Sequence, residues 1–216
     1  MGRGKTKQSA EWKLGFLFLG NQLTLDLLNT RHGLPGERIE LLRDFGALLK
    51  WFQKARLLSR PEGSRLYRRW GKSPRAEIAL RTIRGLRETL RREILRWERG
   101  GAIRPAVVRQ LNLLMARHPM RSKLMVRASG LGAQMWFQAR QPEDFLAPLA
   151  HSAAALFTNV DRSRVRKCAH CVGHFLDTSK KGTRRWCSMK LCGNRFKVAA
   201  YAARKRQRLQ RLPRTP

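Results

Sequence analysis

Four cysteines are the residues of this chain best equipped for chemistry. They run Cys168-x2-Cys171 and then, after fifteen residues, Cys187-x4-Cys192. A two-residue gap turns both sulfurs of a tight knuckle toward one ion. The second pair lies where a loop enters a helix, and its spacing also allows convergence. Four thiolates at about 2.3 Å suit tetrahedral Zn²⁺, and a closed set of four leaves no position for a substrate water. One structural zinc is therefore expected, held by Cys168, Cys171, Cys187 and Cys192. Two disulfides or an iron–sulfur cluster are the alternatives that spacing leaves open. No cysteine precedes Cys168. One segment holding all four points to a metal module in a reducing compartment, not to a secreted disulfide scaffold. His170 and His174 share the knuckle, but four cysteines complete the shell, so both histidines are expected outside it. Phe175, Leu176 and Trp186 are candidates for the small core.

Charge gives the second signal. Lys and Arg number 47 against 14 Asp and Glu, a net +33. Such a surface attracts polyanions: DNA, RNA or an anionic membrane surface. From Asp161 onward 17 basic residues face 2 acidic ones, or +15; the first 160 residues carry 30 and 12, or +18. Charge is thus denser in the cysteine segment. Lys180, Lys181, Arg184 and Arg185 lie between the two cysteine pairs. A helix is expected after Cys192, with Lys197, Tyr201, Arg204, Arg208 and Arg211 on one face, a stripe suited to phosphates. Asn194 and Arg195 are the candidates for reading base edges. The other reading has Gly193-Asn194 shaping the helix start and Arg195 bracing the finger. DNA is favoured over RNA as partner. Catalysis would need clustered carboxylates or histidines. Asp26, His32, Glu37 and Asp44 are scattered, so no enzyme is expected.

Those residues must be positioned by the rest of the chain. Residues 12–30 form an apolar block whose period does not choose between helix and strand. Asp26, Asn29 and Thr30 sit inside it. They read first as a cap or polar network tying down the loop Arg31 to Arg38, and second as a ligand site. Leu41, Phe45, Leu48 and Phe52 recur at helical spacing, closed by Pro61-Glu62-Gly63, and a short helix covers Ser64 to Trp70. Ser73-Pro74 caps the longest helix, with Ala79, Ile83, Leu86, Leu90, Ile94 and Trp97 inward. Its opposite face holds Arg81, Arg84, Arg87, Arg91 and Arg92, a second contact surface or a solvated one. Glu77–Arg81 and Glu88–Arg92 are spaced as ion pairs. Another helix runs from Pro105 to His118. Two short runs around Ser129-Gly130-Leu131-Gly132 predict a β-hairpin, and a helix follows from Pro142 to Asn159.

The expected fold is mainly α (α+β). A helical domain with a small hairpin covers 1–160, and a four-cysteine, treble-clef-like zinc finger with a basic helix covers 161–216. Met1 to Thr6 reads as a solvated basic arm. No apolar run approaches the roughly 18 residues of a membrane span, so no membrane partner is expected, and the location is cytoplasmic, associated with the nucleoid.

Two stretches carry a resemblance. Arg184-Arg185-Trp186-Cys187-Ser188-Met189 and Cys192-Gly193-Asn194-Arg195, with Cys168-x2-Cys171 and Phe175-x-Asp177-x-Ser179 before them, resemble the CGNR zinc finger family. Leu25-Asp26-Leu27-Leu28-Asn29-Thr30 resembles the LDxxNT signature of the ABATE domain, which commonly precedes that finger. The resemblance implies a bacterial, stress-linked transcription regulator that binds DNA through the finger. The N-terminal part would then sense a signal, of unknown ligand, or form a homodimer.

Overall fold

The computed structural model describes residues 12–13, 15–34 and 37–210. The basic arm Met1 to Thr6 and Arg211 lie outside the described residues. Seven helices are described: α1 (Leu23–Leu28), α2 (Phe45–Lys54), α3 (Arg60–Trp70), α4 (Pro74–Glu98), α5 (Pro105–Arg117), α6 (Leu146–Asn159) and α7 (Asn194–Gln210). Four antiparallel ribbons of two strands each join them: β1 (Trp12–Lys13) with β2 (Phe16–Leu17), β3 (Arg31–Leu34) with β4 (Glu37–Glu40), β5 (Arg121–Arg127) with β6 (Gly130–Trp136), and β7 (Val165–Lys167) with β8 (His174–Leu176). The molecule is mainly α, as expected.

Local chemistry sets the helix starts. Asp44 accepts from the N–H of Ala47 at 2.7 Å and begins α2, so this carboxylate is a cap. Ser59 and Glu62 form a capping box that starts α3. Pro61 therefore opens the next helix instead of closing the previous one, because a proline in the first turn loses no helical hydrogen bond. Ser73 caps α4, with Pro74 in its first turn. A 3₁₀ turn over Pro142–Phe145 leads into α6.

Helix α4 is the central member. Leu80, Ile83, Leu86, Leu90 and Ile94 are buried with Leu25, Leu27, Leu28, Leu48, Phe52, Phe145 and Leu149. Phe45, Phe52, Phe137 and Phe145 meet edge to face or tilted, with Phe52 and Phe145 ring centres 4.7 Å apart. The arginine face of α4 departs from expectation. Arg87 and Arg91 are only 2% and 6% exposed. Arg87 pairs with Glu40 and donates to Thr30 Oγ1 at 2.9 Å, and Arg91 donates to the Leu28 carbonyl at 2.5 Å. Arg84 donates to the carbonyls of Leu42 and Arg43. A buried guanidinium needs fixed acceptors, and here the C-terminal end of α1 and strand β4 supply them. Only Arg81 and Arg92 of this face are exposed. Glu77 and Arg81 pair at 3.2 Å. Glu88 turns instead to Arg31, Arg87 and Arg91, leaving Arg92 on Thr89.

Two other expectations are revised. The stretch expected as a loop is strand over Arg31–Leu34 and again from Glu37 to Arg38, within the β3–β4 ribbon, with Arg31 opposite Glu40 and Gly33 opposite Arg38. The β5–β6 hairpin exists, but Arg127 pairs with Gly130. Its turn is thus Ala128-Ser129, and Gly130, at φ 109°, begins the return strand. Residues Phe16 to Leu19 are extended and have two faces, as a period of two requires. Phe16 and Phe18 pack into the main core, whereas Leu17 and Leu19 pack against the four cysteines and Phe175.

Candidate metal centre and basic helix

Strands β7 and β8 form a short hairpin whose tip is the knuckle Cys168–Cys171. Cys187 lies in the loop before a π turn over Met189–Gly193, and Cys192 lies within that turn, which runs into α7. Ser188 starts the turn by accepting from the N–H of Leu191 at 3.3 Å. A knuckle on a hairpin facing the first turn of a helix is the treble-clef arrangement expected. All four Sγ atoms lie within 4.8 Å of one another, and all four cysteines are buried.

The distances test the chemistry. Cys171 and Cys187 sulfurs are 3.7 Å apart, and those of Cys187 and Cys192 3.6 Å. A disulfide would need about 2.05 Å. Four sulfurs at about 2.3 Å from one tetrahedral ion stand about 3.8 Å apart along each edge. The cluster therefore fits one zinc ion, and a multi-iron cluster would need its cysteines farther apart. The N–H groups of His170 and Gly173 point at Cys168 and Cys171 sulfurs, at 3.5 and 3.3 Å, which favours thiolates. Without a cation, hydrogen bonding among the crowded sulfurs pushes the Cys187 and Cys192 thiols up, so they keep their protons, and pulls Cys168 down. A divalent ion removes that conflict and lets all four ionise. When bound, zinc supplies cross-linking only, since its four ligands close the shell.

Neither knuckle histidine is needed as a ligand. His170 is half-buried. His174 is 1% exposed, and its Nε2 lies 4.0 Å from Glu98 Oε1. Phe175 is fully buried in the finger core, with Trp186 against it, while Leu176 packs into the main core.

The α1 signature residues prove to be positioning groups. Asp26 accepts from the N–H of Gly20 at 2.7 Å. Asn29 donates to the His174 carbonyl and accepts from the His174 N–H, both at 2.9 Å. It grips strand β8 as a neighbouring strand would. Thr30 donates to the Leu27 carbonyl at 2.6 Å and accepts from Arg87. Backbone bonds from Leu176 N–H to the Gly20 carbonyl, and from Val172 N–H to the Gly33 carbonyl, complete the seam. The three side chains are thus not brought together around a ligand space. Asn29 holds the finger on α1, Asp26 fixes the Gly20 backbone beside it, and Thr30 ties the end of α1 to α4.

The basic candidates fall into two groups. Lys180, Lys181, Arg185, Asn194, Arg195, Lys197 and Arg204 are exposed, and the side chain of Arg208 lies outside the described residues. Arg184 is committed instead. Its guanidinium lies over the Phe175 ring at 4.8 Å and donates to the Cys187 carbonyl at 2.7 Å, so it braces the finger. Arg185 lies over Trp186 at 5.5 Å. Arg195 lines a mainly apolar cleft of ≈ 190 Å³ with His32 and His170, beside Cys171 and Cys192. Helix α7 has no acidic residue and six basic ones. Among its described side chains only Ala200 and Ala202 are half-buried; Val198 and Tyr201 are 68% and 64% exposed.

Sequence reasoning missed Asp177 as the organiser of the lysine loop. It accepts from the N–H groups of Ser179 and Arg184, at 2.9 and 2.8 Å. Desolvation opposes ionisation, but these bonds hold its carboxyl at about 2. The loop turns at Gly182, at φ 63°. The Asp177-x-Ser179 spacing, an Asx turn, was the signal available.

The comparisons agree with this geometry. Residues 164–205 match the CGNR zinc finger, and residues 21–160 match the ABATE family, described as "Putative stress-induced transcription regulator". No curated protein matches the chain at a significant level.

Proposed function

The chain belongs to the ABATE family and carries a CGNR zinc finger behind that domain, and we propose on that basis that it is a DNA-binding transcription regulator. The carrying observation is α7: a helix rooted in the metal centre, exposed nearly all round, with six cations and no anion. A helix this exposed gains little from packing against its own protein. An α-helix fits the major groove of duplex DNA, and Lys197 and Arg204 would meet phosphates along it. Lys180 and Lys181, held on the Asp177 loop, add backbone contacts that position without reading sequence. Asn194 and Arg195, exposed at the helix start, are the candidates for base edges. The helical domain holds the finger, and senses a signal or dimerises. We assign the protein no catalysis and place it in the cytoplasm, on the nucleoid. Among the described residues no helix is long and apolar enough to cross a membrane.

A salt titration of the zinc-loaded protein on labelled duplex DNA, with structured RNA as competitor, tests this. Affinity should fall steeply with salt, and Lys197→Gln/Arg204→Gln should weaken binding on every sequence and reduce the salt slope by about 2. Binding indifferent to salt, or an unchanged slope in the variant, would remove α7 from the interface. Preference for the RNA competitor would overturn the choice of DNA.

A further inference from the structure

A second concave site lies in the helical domain, where the end of α5, the foot of the β5–β6 hairpin and the turn leading into α6 meet. The cleft measures ≈ 310 Å³ and is lined by Arg117, His118, Arg121, Phe137, Arg140 and Asp144, among others. His118 is 9% exposed, and its Nδ1 lies 3.0 Å from Asp144 Oδ1. Asp144 also accepts from the N–H groups of Arg140 and Gln141, at 2.9 and 3.0 Å, and from Gln141 Nε2 at 3.2 Å. Burial works against ionisation, yet these donors, His118 foremost, hold its carboxyl below the ordinary range. An ionised Asp144 puts a proton on His118 Nδ1. Nε2 is then the ring nitrogen with no hydrogen bond among the described residues.

The arginines of the cleft are uncommitted. Among the described residues, none of Arg117, Arg121 and Arg140 forms an ion pair within 4.0 Å. Arg121 rests over the Trp136 ring at 5.8 Å, and Arg140 Nε donates to Gln138 Oε1 at 3.3 Å. These contacts steady the two side chains and leave most of their N–H groups available. Basic residues are common throughout this chain. What sets the cleft apart is its concavity, an aspartate already engaged by four N–H donors, and an imidazole oriented by that aspartate. Contrast Arg75, which is paired with Glu143 at 2.9 Å, or Arg87, paired with Glu40.

We propose that this cleft binds the terminal phosphoryl group of a small phosphorylated molecule. The guanidinium fork matches the oxygens of a phosphate group. Three cations suit the dianion of a terminal phosphate better than the single charge of a phosphodiester in a nucleic-acid backbone. The volume is at the lower end for small-molecule sites, about 300–1,000 Å³. It admits the phosphoryl end of a ligand, with Phe137 offering an apolar wall to what is attached. The site stands apart from α7 and does not depend on DNA contact.

The test is calorimetry of the zinc-loaded full chain with inorganic pyrophosphate at constant ionic strength. Two pairs are compared, Arg121→Gln/Arg140→Gln in the cleft and Lys197→Gln/Arg204→Gln on α7. Both remove the same charge, and zinc content and melting confirm that each variant is folded. Saturable binding at one site is expected, weakened about tenfold or more by the cleft pair and less than about twofold by the α7 pair. Ring nitrogen signals of His118 should shift with pyrophosphate. Labelled duplex DNA should give the reverse ranking. Equal losses in both pairs would mean diffuse attraction to a basic surface, and no saturable binding, or none lost in the cleft pair, would end the proposal. Loss of duplex and pyrophosphate binding together in the cleft pair would make it a backbone contact instead. Failure of duplex binding with the pyrophosphate pattern intact would sink the DNA reading alone.

Discussion

Glu98, near the end of α4, and His174, on β8, face each other in the seam between the helical domain and the finger. Burial pushes the Glu98 carboxyl up to about 7, against the pull of Lys167, Arg99 and Arg166. Burial pushes the His174 imidazole down to about 3, with Arg91 and Lys167 adding to the shift. The signs differ in consequence. Between its unfolded value of about 4.3 and 7, folded Glu98 keeps a proton that the unfolded chain loses, so its contribution falls as pH rises through that window. Folded His174 refuses a proton that the unfolded chain accepts below about 6.5, so its contribution falls as pH drops. Glu98→Gln removes only the first effect. The variant should melt above the parent at pH 8, with the gap closing toward pH 4.5. A gap of equal size at both values would show that Glu98 is not protonated by its burial.

Helix α1 and strand β8 show how one element fixes another. Asn29 satisfies both backbone groups of His174, and Asn29→Ala would strand them in a buried seam. Each stranded group costs about 1–3 kcal/mol. The variant should lose stability on that order, and amide exchange at His174 should accelerate more than exchange inside α4. Unchanged exchange at His174 would mean that the finger is held by other contacts. Much at this level was legible beforehand. The inward stripe of α4, the hairpin and the helix entering from Cys192 all follow from period and turn residues. The arginine face of α4 was not, because periodicity tells which residues share a face and not what covers it. Arg87 and Arg91 share a face with Arg84, and only packing against α1 and β4 makes them internal braces. Asn29 and Thr30 were legible as a polar network, but their partners, His174 and Arg87, are 145 and 57 residues away.

The whole molecule is bound by the segment Phe16 to Leu19, whose two faces enter two cores. A finger of this size buries too little of its own; zinc and the borrowed leucines Leu17 and Leu19 supply the remainder. Removing zinc should therefore disturb more than the finger. Chelation is expected to lower the melting temperature of the entire chain by about 10 °C or more, since structural zinc contributes its binding energy to folding. Circular dichroism and tryptophan fluorescence (Trp51 and Trp97 report the helical core) should show one shared transition before chelation. A helical transition that keeps its temperature after chelation would show that the two cores melt independently.

Residue types and spacing alone determined the four-sulfur centre, the helical character and the basic excess around α7. Each rests on local rules: ligand geometry for four thiolates, the 3.6-residue period and the charge of the side chains. Tertiary structure alone decided which cations stay free. Arg84, Arg87, Arg91 and Arg184 turn inward to carbonyls, a carboxylate or a ring, while Lys181, Lys197 and Arg204 remain outside. It alone assembled the His118–Asp144 cleft, from segments that share no periodicity. The physical reason is common to both: a charged side chain has the same chemistry wherever it stands, and its role is set by the partners that folding places within reach of a hydrogen bond.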